Sequence, residues 1–204
     1  VSDRMESAES VSIGVWVNAG ARNEDTSNNG VSHLLEHMAF KGTDRRSSLD
    51  IATEIENVGG HLNAYTSRET TVYYATVLKE NVDLALDIIS DIVLNSTFDE
   101  QELDRERGVV LQEIGQAHDT PDDIIFDLFQ ETAYPDQPMG RPILGTADTV
   151  ASMPRATLVD YIGAQYGGDR MVLAAAGNLD LDDLLSRAET AFAGLSPATA
   201  PPPV

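Results

Sequence analysis

Two periods of apolar residues, one of about two and one between three and four, take turns along this chain. "VSIGVWV" at 11–17 is β-branched and aromatic and reads as a buried strand, followed by the turn formers of "NAGARNEDTSNNG". From Gly30, "VSHLLEHMAF" has good helix formers, no breaker, and a stop at Lys41-Gly42, which predicts a helix. Ser47 or Ser48 caps a second, amphipathic helix, "LDIATEIENVGG", that ends at Gly59-Gly60. "HLNAYT" and "TTVYYATVL" read as the two arms of a hairpin joined by the polar "SRE". "NVDLALDIISDIVL" carries the apolar stripe of a core-facing helix. Asp99 or Thr97 opens the longest helix, "DEQELDRERGVVLQEIGQAH", charged in its first half and apolar in its second, so its surroundings are expected to change from solvent to interior. In "TPDDIIFDLFQETAY" Thr120 is the expected cap and Pro121 the first helical residue. A Pro/Gly loop, "PDQPMGRPILGT", precedes a helix "RATLVDYIGAQY", an interior strand "DRMVLAAAGN" and a last helix "LDDLLSRAETAFAGL".

Strands grouped with intervening helices, one pair forming a hairpin, predict an α+β fold with a mostly antiparallel sheet packed against several helices. Residues 1–194 are expected to form one domain, and the Pro/Ala-rich 195–204 to be a linker or disordered tail. The short, polar lead before Val11 suggests a chain processed or cut from something longer.

Charge removes one class of function. Against 34 acidic residues stand 13 basic ones, a net charge of −21, so binding to DNA or RNA is excluded, because it depends on Lys and Arg displacing counterions. No apolar run is long enough to span a bilayer and the first residues lack a signal-peptide core, so the chain reads as soluble. Without cysteine, a metal site has to use His, Asp and Glu.

Such a set is present in "HLLEHMAFKGT". On a helix His33 and His37 lie about 40° apart on one face with Glu36 between them. The pattern is also what a polar helix face with two histidines would show. A catalytic zinc needs a third protein ligand and a position left for water. Glu113, an acid inside the apolar run "ERGVVLQEIG", is the best third donor, since an unpaired carboxylate is costly to bury. Glu106, seven residues earlier and displaced by about 20° on the same face, suits a supporting acid that orients a ligand. Glu36 then suits a general base acting on water, in the order H-x-x-E-H, the reverse of H-E-x-x-H. His61 and His118 have no partner at ligand spacing, Tyr73, Tyr74 and Phe40 read as core, and Arg141 is expected to pair with one of the acids.

"HLLEHMAFKGT", "GGHLNAYTSRETTVYYA", "ERGVVLQEI" and "YPDQPMGRPILGT", in that order, resemble the M16 zinc peptidases over about Val11 to Phe192, within them the short bacterial and mitochondrial-processing branch. The resemblance implies the M16 (LuxS-like metallohydrolase) fold, one Zn2+ per domain on His33, His37 and Glu113, Glu36 as base and Glu106 as supporting acid. It also implies a peptide substrate, unfolded or presequence-like, held as an added strand along "NAYT". Asn63 would face the scissile region and Ala64 and Tyr65 would offer backbone hydrogen bonds. The family joins two similar halves in one subunit or a pair of chains, so a C-terminal half or partner subunit is implied, in a homo- or heterodimer. The second half supplies an Arg and a Tyr that this chain lacks, and most of the first family strand, L-x-N-G-L-x-V-V, is missing too. The expected location is a bacterial cytoplasm, with the mitochondrial matrix as second choice. Two other readings stay open: a non-proteolytic subunit of the same fold, and a regulatory domain whose zinc ties two helices together.

Overall fold

The computed structural model of the chain describes residues 1–201. Strand alternation sets the centre of the fold: Val11, Ile13, Val15 and Val17 of β2 (Ser10–Val17) are buried and point to one side. β4 (Thr71–Leu78) pairs antiparallel with β2 and turns Tyr73, Ala75 and Val77 to that same side. β3 (His61–Thr66) is the second arm of the hairpin, antiparallel to β4. β5 (Met171–Gly177) lies antiparallel on the other flank of β2, and β1 (Ser2–Arg4) runs parallel to β5. The order β1-β5-β2-β4-β3 makes β5 an interior strand, as expected, and β3 an edge. β1 has no apolar period to announce it. Its bonds come from the flank of β5, where the Val1 ammonium donates to the Leu173 carbonyl at 2.8 Å.

The helices are α1 (Val31–Ala39), α2 (Ser48–Glu56), α3 (Val82–Leu94), α4 (Glu100–Asp119), α5 (Pro121–Ala133), α6 (Ala147–Ser152), α7 (Arg155–Gln165) and α8 (Leu181–Ala191). α3 lies against β2 and β4, with Ile88, Ile89 and Ile92 fully buried, and α1 lies beside β3. Caps follow the sequence at two helices. Ser47 and Asp50 form a reciprocal capping box on α2, and Asp99 accepts from the N–H groups of Gln101 and Glu102 on α4.

Two expectations are corrected, and two features are added. Burial on α4 follows a stripe rather than halves: Leu103, Glu106, Val110 and Ile114 are buried, while Val109 in the apolar run is 40% exposed. The Thr120 hydroxyl donates back to the Gln116 carbonyl at 2.8 Å instead of capping α5, whose start rests on Pro121. α6 follows the Pro/Gly loop as a short helix capped by Thr146. The described part of the expected linker, up to residue 201, makes backbone hydrogen bonds to the domain. Ser196 accepts from Gly168 N–H, and the N–H groups of Thr199 and Ala200 donate to the Ala164 carbonyl, so backbone replaces the core-forming side chains this stretch lacks. Gly167 permits that approach, since a Cβ there would lie 1.9 Å from the Ala198 nitrogen. No helix among the described residues is long and apolar enough to cross a membrane.

Candidate active site

The buried stripe of α4 is the surface that meets α1, which brings Glu106 and Glu113 against the face carrying His33 and His37. The Nε2 atoms of His33 and His37 lie 3.6 and 3.5 Å from the same oxygen, Glu113 Oε2, and the two rings stand 4.7 Å apart. One ligand atom from each of the three residues falls within 4.8 Å of the others. Those separations are long for hydrogen bonds but suit donors sharing an ion, because tetrahedral ligands at about 2.0–2.2 Å from zinc stand about 3.4 Å apart. Burial, and then the neighbouring His37, push His33 down to about 4, so at neutral pH its imidazole is neutral with a lone pair to donate. Two nitrogens and one carboxylate oxygen are a donor set that fits zinc, and three donors leave a fourth position for water.

Glu113 differs from its sequence rationale. Its side chain is 39% exposed, and the deeply buried acid of α4 is Glu106, at 9%. An apolar run does not mark burial on a helix whose neighbours cover one stripe. Glu106 Oε2 meets His37 Nδ1 at 3.0 Å, and its Oε1 accepts from Lys41 Nζ at 2.7 Å. A proton on Nδ1, facing the carboxylate, leaves the His37 Nε2 lone pair turned towards Glu113. Sequence reading did not single out Lys41. Four residues beyond His37, it sits one helical turn away, which was the available signal.

Glu36 is drawn in beside this cluster. Burial pushes its carboxyl above the usual carboxylate range, partly countered by the Thr66 hydroxyl and N–H, and its Oε2 is buried with no hydrogen-bond partner among the described residues. His61 and His118 are exposed and lie outside the cluster. Tyr73 is core, its hydroxyl 3.1 Å from that of Tyr166, while Tyr74 is half-buried. Phe40 packs against the core. Arg141 bonds the backbone carbonyl of Glu24 rather than an acid side chain.

The strand read as a peptide cradle is β3, the free edge of the sheet. Ser67 N–H closes the hairpin on the Thr70 carbonyl at 2.8 Å, so by antiparallel alternation the backbones of Asn63 and Tyr65 face Tyr74 and Val72. Leu62, Ala64 and Thr66 therefore turn their N–H and C=O groups outward, which corrects the expectation for Tyr65. Its ring instead packs edge-on against Tyr74, on the face away from the helices. Asn63 Oδ1 accepts from Ala64 N–H at 2.9 Å, at that outer edge.

Sequence reading also missed Glu24, buried at the start of α1, because nothing in "NAGARNEDTSNNG" distinguishes one polar residue from the next.

Comparison with known proteins places the chain in a family. Human mitochondrial-processing peptidase subunit beta is 49% identical over 180 residues, 88% of this chain and 37% of that protein. An uncharacterized zinc protease of Rickettsia felis is 45% identical over 191 residues, 94% of this chain and 46% of its own length. The crystal structure of a protease from Helicobacter pylori shares the fold, with a TM-score of 0.92 at 23% identity over 98% of this chain and 50% of that one. The chain thus spans less than half the length of these two sequence relatives. The profile of the peptidase M16 inactive domain matches residues 152–204. That of insulinase, peptidase family M16, matches residues 1–147, and the chain belongs to this family.

Proposed function

We propose that this chain is the catalytic N-terminal half of a zinc-dependent endopeptidase, with His33, His37 and Glu113 holding the metal, Glu36 as general base and Glu106 as supporting acid. The observation that carries the reading is the convergence of two imidazoles and a carboxylate on one point, with a buried Glu36 oxygen beside it that has no hydrogen-bond partner among the described residues. Zinc held there would supply Lewis-acid chemistry, polarising a scissile carbonyl and acidifying water. Glu36 takes a proton from the attacking water and delivers it to the amide nitrogen as the C–N bond breaks, giving a carboxylic acid and an amine, which ionise to carboxylate and ammonium at neutral pH. Glu106, fixed by Lys41, keeps the His37 proton on Nδ1. The outward groups of Leu62, Ala64 and Thr66 hold the peptide main chain as an added strand, with Asn63 at the same edge.

Unfolded or presequence-like peptides suit a strand-edge site, which needs an extended segment, and basic ones suit the charge of −21. A C-terminal half or partner subunit completes the enzyme, as a homo- or heterodimer. α5 supports this, with Ile125, Phe126 and Phe129 each more than half exposed, apolar surface that a second body would cover. A bacterial cytoplasm is the proposed location, the mitochondrial matrix the second choice.

The test is cleavage of a quenched basic peptide by the zinc-loaded chain, alone and supplied with its C-terminal half, in wild type and Glu36→Gln. Turnover in wild type and a loss of about 10²–10⁴-fold in the variant is the expected result. Equal turnover in both removes Glu36 as base. No turnover under either condition from a zinc-loaded protein leaves the non-proteolytic subunit standing.

A further inference from the structure

The helix that carries both histidines starts without a cap of its own. Its N-cap is Gly30, which has no side chain, and its first turn contains no acid. The N–H groups there point along the positive end of the helix dipole and need acceptors. A residue outside the motif supplies them. Glu24, 4% exposed, accepts through Oε2 from Gly30 N–H at 2.8 Å and from Asn29 Nδ2 at 2.9 Å, and through Oε1 from Ser32 N–H at 2.9 Å.

Each of these partners is tied to another part of the fold. Asn29 Nδ2 also donates to the Pro142 carbonyl at 3.0 Å, and the Ser32 hydroxyl donates to Tyr161 of α7 at 2.9 Å. Arg141 donates to the backbone carbonyl of Glu24 itself. The approach is close enough that a Cβ on Gly145 would lie 2.5 Å from the Asn29 carbonyl oxygen. Ser32 immediately precedes His33, and His37 follows one turn later, so fixing the first turn fixes the position and rotation of both imidazoles relative to α4.

We infer that Glu24 is a positioning residue for the metal centre: a buried carboxylate that holds the first turn of α1 so that His33 and His37 face Glu113. The inference rests on the zinc reading of that site. A purely stabilising role fits less well, since withdrawal from water outweighs the donors and pushes the Glu24 carboxyl up to about 6, so its ionisation opposes folding.

The test compares zinc affinity, by competition with a chromogenic chelator, for wild type, Glu24→Gln and a control in α8, Leu184→Ala, with the Tm of each metal-free protein. A Gln offers one acceptor oxygen where two are used, and its NH2 group would face N–H donors. Zinc binding about tenfold weaker in Glu24→Gln, beyond any weakening in a control that loses as much Tm, is the expected result. Equal zinc binding by wild type and Glu24→Gln overturns the inference, as does a loss that follows Tm alike in both variants. Wild type that takes no zinc overturns the reading of the site and this inference together. Should Glu24→Gln fail to fold, Glu24→Asp keeps the charge but shortens the reach, and is expected to bind zinc more weakly. Wild-type affinity in that variant is the contrary outcome.

Discussion

Burial raises both Glu24 and Glu36 above the ordinary carboxylate range, but the two groups have opposite settings. Glu36 has an oxygen with no hydrogen-bond partner among the described residues, which suits the general base proposed for it. Both Glu24 oxygens are occupied by N–H donors, so its consequence lies in folding. Its folded value of about 6 lies above the unfolded 4.5, so the native chain binds this proton more tightly. The contribution is complete below pH 4.5 and disappears as pH rises through 6, a loss on the order of 2 kcal/mol. Urea midpoints across this window should show that downward slope in wild type and lose it in Glu24→Gln; the same slope in both would reassign it to other groups. Glu106→Gln, which weakens the hold on His37 Nδ1, should lower zinc affinity by about 10–100-fold in a chelator titration without unfolding the chain. The histidines and Glu36 were legible because helical periodicity alone puts them on one side of α1. Glu24 was not, because its burial is made by Asn29, Arg141 and α7, from three separate stretches of chain. Glu113 was found by an argument about burial that its exposure does not support. The seven-residue spacing from Glu106 is the part that survives.

Among the elements, α1 does two tasks with two faces. Leu34, Leu35 and Met38 are at most 1% exposed and fasten it to the core, while His33, Glu36 and His37 lie on the side turned towards α4 and β3. Leu34→Ala should therefore cost about 2–5 kcal/mol in chemical denaturation. Tyr65→Ala on β3, a residue that is 45% exposed, should cost much less, and a comparable loss would mean that the sheet face carries more of the core than its exposure indicates. Elements with a strong period were predicted close to their observed ends: β2, the β3–β4 hairpin, α1, α3 and α7. β1 and α6 escaped because three and six residues are too few to establish a period, and what forms them is a free flank of β5 in one case and a Thr146 cap in the other. The outward alternation on β3 needed the hairpin's closing bond, which sequence does not supply.

On the scale of the molecule, a strand edge and a metal-binding cluster lie side by side in a strongly acidic chain that covers 37% of its human relative. A net charge of −21 attracts basic peptides over a distance set by salt. KM for a basic peptide should accordingly rise between about 0.02 and 0.3 M salt with kcat nearly constant, whereas a salt-independent KM would remove the electrostatic contribution. The overall α+β class was readable from element order, but the exposed apolar side of α5 was not, because the periodicity of that helix says only that it has such a side. The central claim is that three side chains from two helices make one zinc site with a base that is not a ligand. Elemental analysis of purified wild type, Glu113→Ala and Glu36→Gln tests it most directly. The account predicts one zinc per chain in wild type, its loss in Glu113→Ala and its retention in Glu36→Gln; a wild type that takes up no zinc on loading, or a Glu36→Gln that loses it, contradicts the account.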